Sequence, residues 1–163
     1  SHDLKVLLED ISVSTEYLIS QKDRITSKKS RIIATHQQVV RYDKESIDEI
    51  NEKSQQAILD NFKNIVIDFD LVLLSDYGKG VLTHTLTQEL ISIANKNNKK
   101  VLVDPKGLDY KKYSGAYLLT PNKKEASEAT NSIISDDKSL SKAIKNLKEN
   151  YKLAVSIIIF AKC

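Results

Sequence analysis

The sequence predicts an α/β fold, a mostly parallel sheet flanked by helices with a small β segment near the N-terminus, and three observations carry that prediction. First, an apolar run stops at a polar, glycine- or proline-marked loop three times: LVLLSDYGKG (Leu71 to Gly80), VLVDPKG (Val101 to Gly107) and YLLTPNKKE (Tyr117 to Glu125). Second, these runs of Val and Leu hardly alternate with polar residues, the pattern of strands buried on both faces of a parallel sheet. Third, Thr85 to Lys96 has a helical period, with Leu86, Leu90, Ile93 and Ala94 on one stripe. Strand, helix and strand then form a βαβ unit, whose crossover should be right-handed.

In open α/β sheets ligands bind beyond the carboxyl ends of the strands. Here those ends carry Ser75-Asp76, Asp104-Pro105-Lys106 and Thr120-Pro121-Asn122. Acids, a lysine and an amide are therefore expected to converge on one rim. Loop or cap roles just beyond a strand also account for Asp76 and Asp104.

The remaining elements follow in chain order. Leu4, Leu7, Leu8 and Ile11 sit at helical spacing and suggest the tail of a helix. Ser14 to Ser20 (STEYLIS) has the β-branched and aromatic content of a strand. Two more strands are expected at about 30–35 and 38–42, within a stretch rich in Ile, Val and Thr that also clusters Lys28, Lys29, Arg31 and Arg41. A charged edge that blocks aggregation explains those cations; so does a cationic patch for a phosphate. Ser46 to Asn64 reads as a helix opened by a capping box, Ser46 and Glu49, with Ile47, Ile50, Ala57, Ile58 and Phe62 on one face. Asn122 and Glu125 match an N-cap and the acid three residues on. A helix starting there also offers free N–H groups to a phosphate, and Glu125 can hold Mg²⁺ through water. Asp136 or Asp137 caps a further helix with Leu140, Ala143, Ile144 and Leu147 inward, and Leu153 to Ala161 (LAVSIIIFA) reads as an apolar strand.

Composition narrows the function classes. The 163 residues fit one domain, large enough to bury roughly 70% of its unfolded surface. Lys and Arg exceed Asp and Glu by 25 to 22, with the signs interleaved, which argues against a nucleic-acid partner. One cysteine, Cys163, excludes an internal disulfide or a cysteine-cluster metal site and fits a cytoplasmic setting. No apolar run approaches the ~18 residues that span a bilayer, so no membrane partner is expected. His2, His36 and His84 are too scattered for a metal triad, and no G-x-G-x-x-G supports a dinucleotide fold.

SDYGKG, VDPKG and LLTPNKKE, in this order and at these separations, resemble the ribokinase-like sugar kinases, the phosphofructokinase-B family. Upstream, Thr26, Lys29 and Arg31 (T-x-x-K-x-R), Gln37-Gln38, and Arg41, Asp43 and Glu45 (R-x-D-x-E) narrow the likeness. They resemble the kinase domain of the ADP-heptose synthesis enzymes, which phosphorylate D-glycero-D-manno-heptose 7-phosphate at carbon 1. The resemblance covers nearly the whole chain. It implies ATP and Mg²⁺ as cofactors, with Asn122, Lys123, Lys124 and Glu125 at the nucleotide and metal. It implies sugar-phosphate contacts around Lys29, Arg31 and Arg41, with Asp76, Lys79, Asp104 and Lys106 lining the cleft near the phosphates.

Two family features have no match. The opening segment of glycines and an aspartate is missing, and so is the GAGD-type loop that supplies the anion hole and catalytic base; the four glycines are Gly78, Gly80, Gly107 and Gly115. No catalytic residue is therefore assigned within the chain. With no methionine at residue 1 and an apolar strand close to residue 163, residues 1–163 are expected to be part of a longer kinase domain, inactive alone. An exposed terminal strand suggests a homodimer. The competing expectation is a non-catalytic α/β binding or assembly module derived from a sugar kinase.

Overall fold

The computed structural model describes His2 to Phe160. Helix α1 (His2–Asp10) leads to an antiparallel hairpin of β1 (Lys28–Ala34) and β2 (Gln37–Lys44), then to α2 (Glu52–Ile65). A parallel sheet follows in the order β3 (Leu71–Ser75), β4 (Lys100–Asp104), β5 (Leu118–Leu119) and β6 (Val155–Ser156). Helix α3 (His84–Lys96) connects β3 to β4, α4 (Lys123–Thr130) follows β5, and α5 (Asp137–Asn150) precedes β6.

The α/β class and the β3–α3–β4 unit agree with the sequence pattern. Val101, Val103 and Leu119 are buried in the sheet beside Leu86, Leu90 and Ala94 of α3. Helix α2 packs on α3, and α4 on α5, whose Ala143 and Leu147 are also buried. The expected burial on both faces is approached in β4, where Val101 and Val103 are buried and Leu102 on the other face is half-buried, but not in β3. That strand is an edge among the described residues, with Leu71 and Leu73 exposed and Leu74 buried.

Three local expectations are corrected. Ser14 to Ser20 forms no strand: Ser12 takes a positive φ of 59°, Val13 N–H bonds back to Leu8 O, and Ser14 Oγ accepts from Glu16 N–H. Short hydroxyl-to-backbone bonds of this kind compete with strand pairing. Helix α2 starts later than expected, with Asn51 as its cap; Asn51 Oδ1 accepts from Ser54 N–H at 2.8 Å. Ser46 Oγ instead accepts from Ile25 N–H, and the buried Ile50 gives its N–H to Gly80 O at 2.9 Å. A tertiary bond has taken the donor that an earlier helix start needed. The C-terminal strand is also shorter. The run bonds to the β5 segment through the Val155, Ile157 and Ile159 N–H groups, yet only Val155–Ser156 forms a ladder. Its far pairing meets Pro121, which has no N–H to return, and Ala161 lies outside the described residues.

Gly80 shows why the loop after β3 carries glycine. Its φ is +73°, and a Cβ there would lie 2.1 Å from Asp48 O, a backbone atom that cannot swing away. Gly80→Ala is expected to cost on the order of 3 kcal/mol, since left-handed strain and a backbone clash add. Urea unfolding should show this as a lowered midpoint; an unchanged midpoint would contradict the close approach.

Candidate functional site

The loops after β3, β4 and β5 meet at one cleft of about 280 Å³, lined by Asp76, Tyr77, Asp104, Pro105, Lys106, Thr120, Asn122, Glu125 and Ile159. Parallel register explains the meeting: Ser75 lies opposite Asp104, and Val103 opposite Leu119, so the polar tips emerge side by side. The convergence expected of Asp76, Asp104, Lys106 and Asn122 is therefore observed.

Asp76 is the most constrained of these groups. Its side chain is 4% exposed, and its Oδ2 accepts from Lys112 Nζ at 2.6 Å and from the Tyr113 hydroxyl at 2.7 Å. Oδ1 accepts from Gly78 N–H at 2.7 Å, while Asp76 N–H donates to Asp104 O. Tyr113 reaches the next loop too, since its oxygen accepts from Lys106 N–H at 3.1 Å. Lys112 also donates to Leu82 O at 3.1 Å. One buried carboxylate thus ties the loops after β3 and β4 to the 3-10 turn at Tyr110–Tyr113.

Sequence reasoning missed Lys112 and Tyr113. A signal was present in YKKY, whose tyrosines eclipse on a 3-10 turn and here bury together, edge to face at 5.8 Å. Burial pushes the Tyr113 phenol well above the ordinary range, as does its bond to Asp76, against an opposing contribution from Lys106 N–H. Burial does the same to Tyr110.

Around the second half of the cleft, Asn122 Oδ1 accepts from Glu125 N–H at 2.9 Å, and Glu125 Oε2 accepts from Asn122 N–H at 3.0 Å. The capping box expected at the start of α4 is present. Glu125 Oε1 accepts from Lys106 Nζ at 2.8 Å. That bond, and then the charge of Glu125, hold the Lys106 ammonium above its usual range. Asp104 is exposed on the same cleft, with no hydrogen bond to its carboxylate among the described residues.

The other anticipated residues lie elsewhere. Lys124 pairs with Glu128 at 3.8 Å along α4, and Lys123 lies over the Phe160 ring. Lys79 is ion-paired to Glu45, and the Arg24 guanidinium donates to Asp48 O and Lys79 O, binding the foot of the hairpin to the β3 loop. Arg31 faces Arg41 across the hairpin, and Arg41 forks onto Asp43 at 2.9 and 2.6 Å. That fork raises the Arg41 pKa and lowers that of Asp43. Lys29 Nζ lies 6.0 Å from the centroid of the ring of Tyr77, a residue that lines the cleft. His84 is exposed and bonds Asp109 at 3.0 Å; Cys163 lies outside the described residues.

No three metal-ligating side chains converge among the described residues. The cleft still suits Mg²⁺, which keeps several waters and is bound through one or two carboxylates plus substrate phosphates. Asp104 and Glu125 are carboxylates lining this cleft, and Lys106 pairs with Glu125.

With this geometry in place, the chain is identified by class: residues 1–159 match the pfkB family carbohydrate kinases, and the chain belongs to that family. Among curated proteins it is similar to the bifunctional protein HldE of Aliarcobacter butzleri, 57% identical over 99% of this chain and 34% of that protein. The bifunctional protein HldE of Campylobacter fetus is 53% identical over 96% of this chain and 34% of that protein. The chain spans about a third of the length of these relatives. Among solved structures, Escherichia coli phosphofructokinase-2 in complex with potassium aligns over 93% of this chain and 49% of its own, with TM-score 0.69 and 19% identity. That likeness supports the fold alone.

Because the folded phenols of Tyr110 and Tyr113 ionise only far above the unfolded value near ~10, they contribute stability that is whole below about pH 10. It is lost as pH rises further, when the unfolded chain gives up those protons. Ultraviolet titration should find these two of the seven tyrosines ionising only as the fold is lost. Seven tyrosines titrating together near the ordinary value, with the fold intact, would contradict the burial of this pair.

Proposed function

We propose that this chain is the central part of a sugar-kinase domain that transfers the ATP γ-phosphoryl group to the C1 hydroxyl of D-glycero-D-manno-heptose 7-phosphate, in ADP-heptose and lipopolysaccharide core biosynthesis. The observation that carries this reading is the single cleft joining Asp104, Lys106, Thr120, Asn122 and Glu125. Family membership and similarity to HldE proteins support the sugar-kinase class and the heptose substrate.

In this reading Asn122 and the first turn of α4 face the nucleotide phosphates, because a helix N-terminus presents N–H groups and a partial positive charge to an anion. Glu125 and Asp104 hold hydrated Mg²⁺, which when bound neutralises charge on the transferring phosphoryl group. Lys106 offers its ammonium to a phosphate oxygen. Lys29, Arg31 and Arg41 supply cations for the 7-phosphate, and Lys29 lies over the ring of the cleft residue Tyr77. Asp76 contributes by holding the rim, and Lys79 by fastening the hairpin. No residue is assigned as the base. Phosphoryl transfer depends on complete positioning, so the chain alone should turn over at a small fraction of a sugar kinase.

A homodimer and a cytoplasmic setting belong to the same reading. The hairpin leaves Ile32, Ile33, Val39, Val40 and Tyr42 exposed, and an isolated two-stranded hairpin is marginal in water. None of the described helices is long and apolar enough to cross a membrane. The same exposed hairpin, with the open edge of β3, favours the second reading, a non-catalytic assembly module.

Calorimetric titration separates the two readings. The kinase reading expects MgATP and heptose 7-phosphate each to bind, with ADP release well below roughly 1 per second. Binding of neither ligand would favour the assembly module, and release at roughly 1 to 100 per second would show that a base within the chain has been overlooked.

A further inference from the structure

The Lys106–Glu125 pair places a cation on the carboxylate oxygen that a hydrated divalent metal would occupy. Glu125 has few alternatives. Its side chain is 12% exposed, its Oε2 is committed to Asn122 N–H, and Oε1 carries Lys106. Lys106 is freer: its side chain is 54% exposed, its stem lies beside Gly78, and it is its backbone that is fixed, the N–H donating to the Tyr113 oxygen and the carbonyl accepting from the Tyr113 hydroxyl. The anchored backbone and mobile ammonium allow the charge to change partners without disturbing the loop.

We propose that Lys106 is the exchangeable counter-ion of Glu125, pairing with the carboxylate when the rim is empty and moving to a phosphate oxygen when a metal–polyphosphate enters. The proposal rests on reading the rim as a metal–phosphate site, and adds to it a source of coupling. A metal arriving alone must displace Lys106 and leave an unpaired ammonium beside two new positive charges. A polyphosphate arriving alone draws Lys106 away and leaves Glu125 unpaired beside another anion. Arriving together, each supplies the partner that the other removes, so each should strengthen the other's binding.

The test uses the full chain and two probes, Mn²⁺ alone and metal-free inorganic tripolyphosphate. Removing the lysine charge should move the two affinities in opposite directions, which loss of packing does not do. Lys106→Met is expected to bind Mn²⁺ about two- to fivefold more tightly than wild type, the range of an exposed ion pair, as read from the free Mn²⁺ paramagnetic resonance signal. Tripolyphosphate should bind more weakly by calorimetry. Lys106→Gln, which keeps a donor but no charge, should give the same signs, and adding Glu125→Gln should abolish the gain for Mn²⁺. Mn²⁺ affinity that is unchanged, lowered or undetectable in Lys106→Met would overturn the exchange. Normal MgATP binding without the sign reversal removes the exchange and leaves the kinase reading intact. The reversal without MgATP binding supports the exchange and removes that reading.

Discussion

The buried carboxylate of Asp76 is the constraint from which the rest of the rim follows. A charge at this depth persists only when paired and hydrogen-bonded, and Asp76 meets that demand with Lys112, Tyr113 and Gly78. Gly78 belongs to the loop after β3, and Lys112 and Tyr113 to the 3-10 turn at Tyr110–Tyr113, so satisfying one charge fixes that loop against that turn. Tyr113 passes the constraint on by accepting from Lys106 N–H. The loop that presents Lys106 to Glu125 is thus positioned by a residue that does not itself face the ligand side.

The rim has two layers with different freedom. Beneath, Asp76 and Tyr113 are buried and the half-buried Lys112 is bonded to Asp76; above, Asp104 and the Lys106 ammonium are exposed, and Glu125 joins the layers through the cap of α4. A rigid lower layer suits chemistry in which positioning and preorganised charge supply most of the acceleration. An exchangeable upper layer suits ligands that bring their own charges. The hairpin is tied to this platform by Arg24 and by the Lys79–Glu45 pair, which brings Lys29 over Tyr77 at the mouth of the cleft.

Much of this was legible in the sequence where local pattern and tertiary packing agree. The unbroken apolar runs gave β3 and β4, the 3.6-residue stripe gave α3, and Asn122 with Glu125 gave the cap of α4. The polar tips of parallel strands must emerge together, which made Asp76, Asp104, Lys106 and Asn122 legible as one rim. What was not legible depended on partners distant in sequence. Asn51 caps α2 in place of Ser46 because Gly80 takes the Ile50 N–H, a bond across 30 residues. Lys112 and Tyr113 looked like an ordinary charged turn because their partner, Asp76, lies 36 and 37 residues away. Lys79, Lys123 and Lys124 matched motif positions, yet their side chains found closer partners outside the cleft.

Unfolding free energies of four chains, the wild type, Lys112→Met, Asp76→Asn and the double variant, measure most directly whether Asp76 and Lys112 form a buried charge pair that organises the rim. Lys112→Met strands an ionised carboxylate and is predicted to cost about 3–5 kcal/mol. Adding Asp76→Asn to Lys112→Met removes the stranded charge and is predicted to recover a substantial part of that loss, a coupling visible in a double-mutant cycle. A Lys112→Met cost below about 1 kcal/mol, the range of an exposed pair, or a second substitution that simply adds its own cost, would contradict the account.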